Sequence, residues 1–315
     1  AAFYARAAEF YLAPGDRKKL PTYDRFVSLF DEAVPAARAA RTSVPFEGKS
    51  LPAIVIPAAD SAPEKHVVLL HGGFDSLMEE LYDFGLALAE AGYRIVLFEG
   101  PGQGAALRKS GLAMKPDWER PVAAVLNHFA IETCTILGIS LGGLLAPRAA
   151  AFEPRIARVI CWDVLDEFFD CFASRSAALA RTLALLSRSG ARRALNALLG
   201  SAMRRDADLA WVLGHGMHVS GSRDPYEFVG WLRSLRTADF SNRITQDVLL
   251  LAGAEDHIVP VHQLLRQAAA LTSARSVTTR LFTRREHAHN HCQIGNAGLA
   301  LRVMTDWLDA NAAAA

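Results

Sequence analysis

Cysteine is scarce in this chain: four residues in 315 (Cys134, Cys161, Cys171 and Cys292), with no CxxC pair among them. Such sparse use argues against a disulfide framework and for a reducing compartment. No apolar run approaches the roughly 20 residues that span a bilayer, so no membrane partner is expected. Nor is charge of one sign in excess. Lys+Arg number 34 against 33 Asp+Glu, a net charge of +1 with no basic run and no charge-segregated half. That balance argues against nucleic acid or another polyanion as partner. The opening AAFYARAAEFYL lacks the basic-then-apolar layout of a signal peptide. The first residue is not Met, which leaves a preceding targeting segment open; a cytoplasmic location is the default expectation. There is no internal repeat.

What remains is the composition of an ordinary globular protein, 51% hydrophobic and 21% charged, able to bury a substantial core. Its length suits one large α/β domain plus an appendage, or two domains. Residues 1–44 contain no convincing strand. Phe3, Tyr4, Ala7, Ala8 and Tyr11 recur at helical spacing, and Tyr23 to Ala40 continues similarly, so a helical N-terminal segment is expected. From residue 45 short, near-continuous apolar stretches appear: Leu51–Ile56, His66–Leu70, Arg94–Phe98, Thr133–Leu137 and Ile156–Ile160. Most end in glycine-bearing loops, as strands buried on both faces of a parallel sheet do. Helical patterns at Glu80–Ala91, Trp118–Phe129 and Leu141–Ala151 lie between them. Strand–helix alternation of this kind specifies a doubly wound, mostly parallel sheet.

The alternation stops over residues 165–240, which are helix-like and rich in Ala, Leu and Arg, and resumes over 241–315. There Val248–Leu251, a helix at Val261–Leu271, Ser276–Phe282 and a last helix at Gly295–Asp309 follow, and the tail Asn311–Ala315 is expected to fray. The predicted organisation is therefore a core from 45–164 and 241–315 interrupted by a helical block. That block reads either as a substrate-covering cap or as a packing layer without contact to substrate.

Gly138-Ile-Ser140-Leu-Gly142 fits the G-x-S-x-G elbow, with a strand before it and a helix after it. A serine hydroxyl is a poor nucleophile at neutral pH, so it must be presented on a strained turn and deprotonated by a neighbour. The acid is expected after a later strand. Asp256 in Ala252-Gly-Ala-Glu-Asp256-His-Ile-Val-Pro260 has that position, with Glu255 as competitor. The base is expected between the last strand and the last helix, a window holding His287, His289 and His291. His291 lies nearest the final helix; position alone does not decide. Two backbone N–H groups must receive the oxyanion, about 3 Å away. Leu141 is one, and Gly73 or Phe74 in His71-Gly-Gly-Phe-Asp-Ser76 the other, with His71 itself structural.

Two competing motifs are weaker. Gly100-Pro-Gly-Gln-Gly-Ala105 contains G-x-G-x-x-A, a relaxed dinucleotide fingerprint, but Pro101 removes an N–H where phosphate needs one and Glu119 sits in a helical stretch. A tight loop at the active-site rim is the better reading, and no cofactor is expected. The three alternating histidines invite a metal site, but no carboxylate pair completes it and the elbow would go unexplained.

Taken together, HGGFDS, FEGPGQG, GISLGG, LAGAEDHIVP and NHCQIGN occur in an order and spacing that resemble one subgroup of α/β-hydrolases. It comprises fungal Yg1-type polyketide-shortening hydrolases, 2,6-dihydroxypseudooxynicotine hydrolase and FrsA-like esterases, and the likeness covers residues 45–315. It implies an α/β-hydrolase fold with a helical cap, a Ser140–Asp256–His291 triad, a small aromatic or polyketide-like substrate, and room for a homodimer through the N-terminal helices. Several members hydrolyse a C–C bond next to a ketone. Because carbon is a poor leaving group, Asp163 is read either as a substrate-binding acid or as a strand-end hydrogen bond. Trp162, Phe168 and Phe169 are candidates for an aromatic pocket or for core packing. The alternatives are ester, lactone or thioester hydrolysis, or acyl transfer or cyclisation, on the same residues.

Overall fold

The computed structural model describes residues 1–35, 39–59, 64–173 and 176–312. Eight strands form one sheet in the order β1-β2-β4-β3-β5-β6-β7-β8. They are β1 Ala40–Phe46, β2 Lys49–Ile56, β3 Val67–His71, β4 Arg94–Phe98, β5 Cys134–Ile139, β6 Ile156–Trp162, β7 Asp247–Gly253 and β8 Ser276–Phe282. β1, β2 and β4 pair antiparallel in turn, and every other pairing is parallel. The central strands are mostly apolar because both faces are covered. In β5 and β7, Ile136, Val248 and Leu250 enter one core layer while Leu137, Leu249 and Leu251 enter the other, the period-two alternation of a strand.

Helices α1 Ala2–Tyr11 and α2 Lys19–Ala33 precede the sheet. The core helices are α3 Tyr82–Glu90, α4 Gly104–Arg108, α5 Glu119–His128 and α6 Gly142–Ala150. A run of five follows β6: α7 Phe168–Ala173, α8 Ala177–Arg188, α9 Arg192–Met203, α10 Ala207–Ser220 and α11 Pro225–Ser234. Helices α12 His262–Ala270 and α13 Ala297–Ala312 complete the chain. Among the described residues no helix is long and apolar enough to cross a membrane.

Two expectations need correction. The N-terminal segment is not helical to residue 44: α2 stops at Ala33 and β1 begins at Ala40. β1 is an edge strand with only Val44 fully buried, so Arg41, Thr42 and Ser43 gave no apolar signal. The tail is also better anchored than expected. α13 runs to Ala312, the Asn311 side chain donates to Trp307 O (2.8 Å) and Arg158 donates to the Asn311 carbonyl. Residues 313–315 lie outside the described residues.

The N-terminal helices are fastened by charge. Glu9, 0% exposed, is paired with Arg6 (2.8 Å), Lys19 (3.0 Å) and Arg108 (2.9 Å). Arg6 also donates to the Asp75 carbonyl (2.6 Å) and to Glu80 (2.9 Å), and Trp211 of α10 donates to the Phe10 carbonyl (3.1 Å). Removing Glu9 takes from Lys19 and Arg108 their carboxylate partner and leaves Arg6 with Glu80 alone. Glu9→Ala should therefore lower unfolding free energy by about 3–5 kcal/mol, read as a shifted urea midpoint.

Candidate active site

The register of the parallel strands brings the motif loops to one edge. His71 pairs with Gly138, Ile139 with Trp162, and Trp162 with Leu251. The residues following β3, β5, β6 and β7 therefore emerge side by side, at the strand ends where open α/β sheets bind ligands. Ser140 sits on the turn between β5 and α6 with φ +59°, a left-handed conformation that costs a non-glycine residue about 1–2 kcal/mol. Its N–H donates to the Trp162 carbonyl (2.6 Å) and its carbonyl accepts from Gly143 (2.7 Å). The tightness explains the glycines. A Cβ on Gly138 would lie 2.0 Å from the Gly142 carbonyl oxygen, and one on Gly143 would lie 1.9 Å from the Asp163 carbonyl oxygen.

His291 brings an imidazole to this turn. Its Nε2 lies 2.9 Å from Ser140 Oγ and its Nδ1 lies 2.8 Å from Asp256 Oδ2. With the proton on Nδ1, the imidazole donates to Asp256 and accepts from the serine. Asp256 Oδ1 accepts the N–H groups of Ile258 (2.7 Å) and Val259 (2.9 Å), which fix the carboxylate in its loop. The competitors lie elsewhere. Glu255 is exposed and paired with Arg284. His287 is exposed, and the His289 carbonyl accepts from the Glu255 N–H (2.8 Å).

Asp163 is not where a substrate acid would be. It is 1% exposed and lies behind the imidazole, with Oδ2 3.1 Å from His291 Nδ1. The same carboxyl accepts the Cys292 N–H and the Gln293 side-chain amide (2.7 Å). Those contacts hold Cys292 (φ +50°) and Gln293 (φ +49°) in two successive left-handed conformations. Of the two readings of Asp163, these contacts match the strand-end hydrogen bond, here made to the histidine loop. Two acids therefore face one imidazole. Burial, with the neighbouring Asp256 charge, pushes Asp163 up from the usual carboxylate range. Burial acts on Asp256 too, but hydrogen bonds from His291, Asp163 and the Val259 N–H outweigh it and hold that carboxyl down. For His291 burial alone disfavours the cation; the bonds to Asp163 and Asp256 overcome it and raise the imidazole well above its ordinary value. Asp163, His291 and Cys292 are also the one group of metal-ligating type found among the described residues. Their Oδ2 and Nδ1 atoms already engage one another and the backbone.

The candidate oxyanion donors are adjacent. Among the described residues no acceptor takes the Leu141 or Phe74 N–H, whereas the Gly73 N–H already donates to Ser76 Oγ (3.2 Å). Gly73 passes so close that a Cβ there would lie 2.6 Å from Leu141 N. His71 is structural: its Nδ1 faces the Gly72 carbonyl (2.9 Å), and burial pushes the ring down to about 4, neutral between Phe98 and Trp118. Over Phe74 lie Phe168 (5.3 Å between ring centroids), His215 (5.2 Å) and Trp231 (6.3 Å), all from the helical block. Trp162 instead packs in the core against Phe84 (4.8 Å), and Phe169 is buried in the core.

This fold and this edge belong to one family: residues 65–289 match the alpha/beta hydrolase fold model, and the chain belongs to that family. Among curated proteins it is similar to Hydrolase acrC of Aspergillus aculeatus, 30% identical over 281 residues, covering 80% of this chain and 65% of the relative. It is also similar to the 20-hydroxy-prefusarin hydrolase FUS2 of Gibberella moniliformis, 34% identical over 248 residues, covering 71% of this chain and 58% of the relative. The alignments thus span less than two thirds of either relative. Among solved structures, 2,6-dihydroxy-pseudo-oxynicotine hydrolase superposes with a TM-score of 0.72 at 22% identity, over 98% of this chain and 77% of that one. The subgroup expected from the motif strings is borne out by the fungal hydrolase relatives, and the pseudo-oxynicotine hydrolase shares the fold.

Proposed function

We propose that the chain is a cofactor-independent serine hydrolase that cleaves a C–C bond next to a ketone in an aromatic or polyketide-like substrate. The observation that carries it is the unbroken line Ser140 Oγ, His291 imidazole, Asp256 carboxylate, with links of 2.9 and 2.8 Å, beside two N–H groups that have no acceptor among the described residues. His291 takes the serine proton as Ser140 attacks the ketone carbonyl, and Asp256 holds the resulting imidazolium. The Leu141 and Phe74 N–H groups receive the oxyanion, aided by the N-terminus of α6. Collapse of the adduct expels a carbon leaving group, which takes its proton from the His291 imidazolium. Water, deprotonated by His291, then hydrolyses the acyl enzyme.

Carbon departs only if its charge is held. Because Asp163 lies behind the imidazole, the substrate's own carbonyl or hydroxyaryl group must act as the electron sink, which favours a 1,3-diketone or an activated aryl ketone. The five helices of residues 168–234 serve as the cap, with Phe168, His215 and Trp231 forming an aromatic wall above Phe74. The names of the relatives point the same way: one acts on a prefusarin, another on a pseudo-oxynicotine. A panel of aryl 1,3-diketones set against short p-nitrophenyl esters tests the reading. Diketone turnover yielding one carboxylic acid and one ketone per cleavage is expected. Fast ester hydrolysis with inert diketones would replace it with an esterase.

A further inference from the structure

The sequence Glu99-Gly-Pro-Gly-Gln-Gly104 follows β4 and touches none of the reacting atoms described above. Its fold explains why. Gln103 is 3% exposed and lies beneath the His71–Ser76 loop. Its Oε1 accepts the Gly100 N–H (3.0 Å), which fixes which end of the amide is oxygen. Its Nε2 then donates to two carbonyls at once, Gly72 O and Gly73 O, both at 2.9 Å. The side chain is thereby fully used, one acceptor and two donors.

The second of those carbonyls matters most. Gly73 C=O and Phe74 N–H belong to one peptide unit, planar and trans, in which the two groups point in opposite directions. Holding the carbonyl toward Gln103 aims the Phe74 N–H away from it. The first carbonyl does the same for the Gly73 N–H, which reaches Ser76 Oγ (3.2 Å). Two successive glycines leave this segment free to rotate. Were the Gly73–Phe74 peptide to turn over, it would present a carbonyl oxygen where the oxyanion needs a donor.

The base of the brace is equally built. The Glu99 carboxyl accepts the N–H groups of Met78 (3.1 Å) and Ala105 (2.8 Å), joining the segment after the glycine loop to the start of α4. Gly102, at φ +87°, makes the bend that turns Gln103 under the loop.

Resting on the reading of Ser140 as nucleophile, we infer that Gln103 is a positioning residue that keeps the oxyanion hole preformed by orienting the Gly73–Phe74 peptide.

The test uses the whole chain and a fluorophosphonate. Ser140 displaces fluoride from phosphorus while His291 takes the serine proton, and the phosphoryl oxygen sits in the hole. Gln103→Glu and Gln103→Met keep the shape and remove the donors. Each is expected to slow the limiting inactivation rate by about 10²-fold, the effect of losing one oxyanion donor. The half-saturating probe concentration should change less than about threefold, with the acid limb of the pH profile unmoved. An unchanged inactivation rate in a folded variant overturns the inference. So does a slower rate accompanied by a displaced pH limb, which would mark general damage to the histidine. If wild-type Ser140 is not labelled at all, the nucleophile reading itself falls, and this inference with it. Should both variants fail to fold, the wild-type chain carrying ¹⁵N-phenylalanine decides: the Phe74 amide proton moves downfield when a boronic acid adds to Ser140, and a static resonance overturns the inference.

Discussion

Ser140→Ala should lower kcat by about 10⁶-fold, the scale on which a serine nucleophile is lost when base and oxyanion donors remain. The residual rate would come from binding and the two N–H groups, so KM should change little. Ser140→Gly is the informative companion. It is equally inactive, but glycine accepts φ +59° without a clash between Cβ and the backbone. It should therefore be more stable than the alanine variant by about 1 kcal/mol, seen as a higher thermal midpoint. Inactivity together with that gain would show that the strained turn is maintained for presentation of the hydroxyl. Substantial activity in either variant would remove the basis of the proposed chemistry.

Asp256→Asn and Asp163→Asn should separate two acids that stand 2.8 and 3.1 Å from the same nitrogen. Asp256 is fixed by the Ile258 and Val259 N–H groups and held in its charged form, so it selects the Nδ1–H tautomer and stabilises the imidazolium. Its amide replacement should reduce kcat by about 10⁴-fold. Asp163 is pushed the other way by burial and by the neighbouring Asp256 charge. Asp163→Asn keeps an acceptor for the Cys292 N–H, and the Gln293 amide can turn its unpaired Oε1 toward the new NH₂. The loss in kcat should therefore be far smaller. The sign of the pH effect follows from His291: a raised imidazole is released when a stabilising carboxyl is removed. The base form then persists to lower pH, and the rising limb of kcat/KM shifts toward acid. A limb that stays put, with Asp163→Asn as inactive as Asp256→Asn, would reverse the assignment of the two roles.

Much of this architecture was legible because its signals are local. The continuous apolar strands, the glycines around Ser140 and the choice of Asp256 over Glu255 each follow from a few neighbouring residues. The histidine was narrowed to three by position and to His291 by its nearness to the final helix and by the resemblance, and His291 is the one that lies against Ser140 and Asp256. What sequence could not carry was direction. Asp163 stands at a strand end in either reading, and only its contacts with Cys292 and Gln293, about 130 positions away, turn it from substrate to histidine. Gln103 read as part of a rim loop because the peptide it holds belongs to a segment 30 residues earlier. β1 stayed hidden because an edge strand with one buried side chain has no apolar period to detect.

Arg6 reaches the Asp75 carbonyl, one residue beyond the proposed oxyanion donor, while Phe10 and Trp211 join the same N-terminal helix to the helical block. The smallest autonomous unit of this molecule is therefore larger than its sheet. A fragment trimmed to start at β1 would keep every proposed reacting side chain and still lose the strut beneath Phe74, so the N-terminal helices count as part of the apparatus.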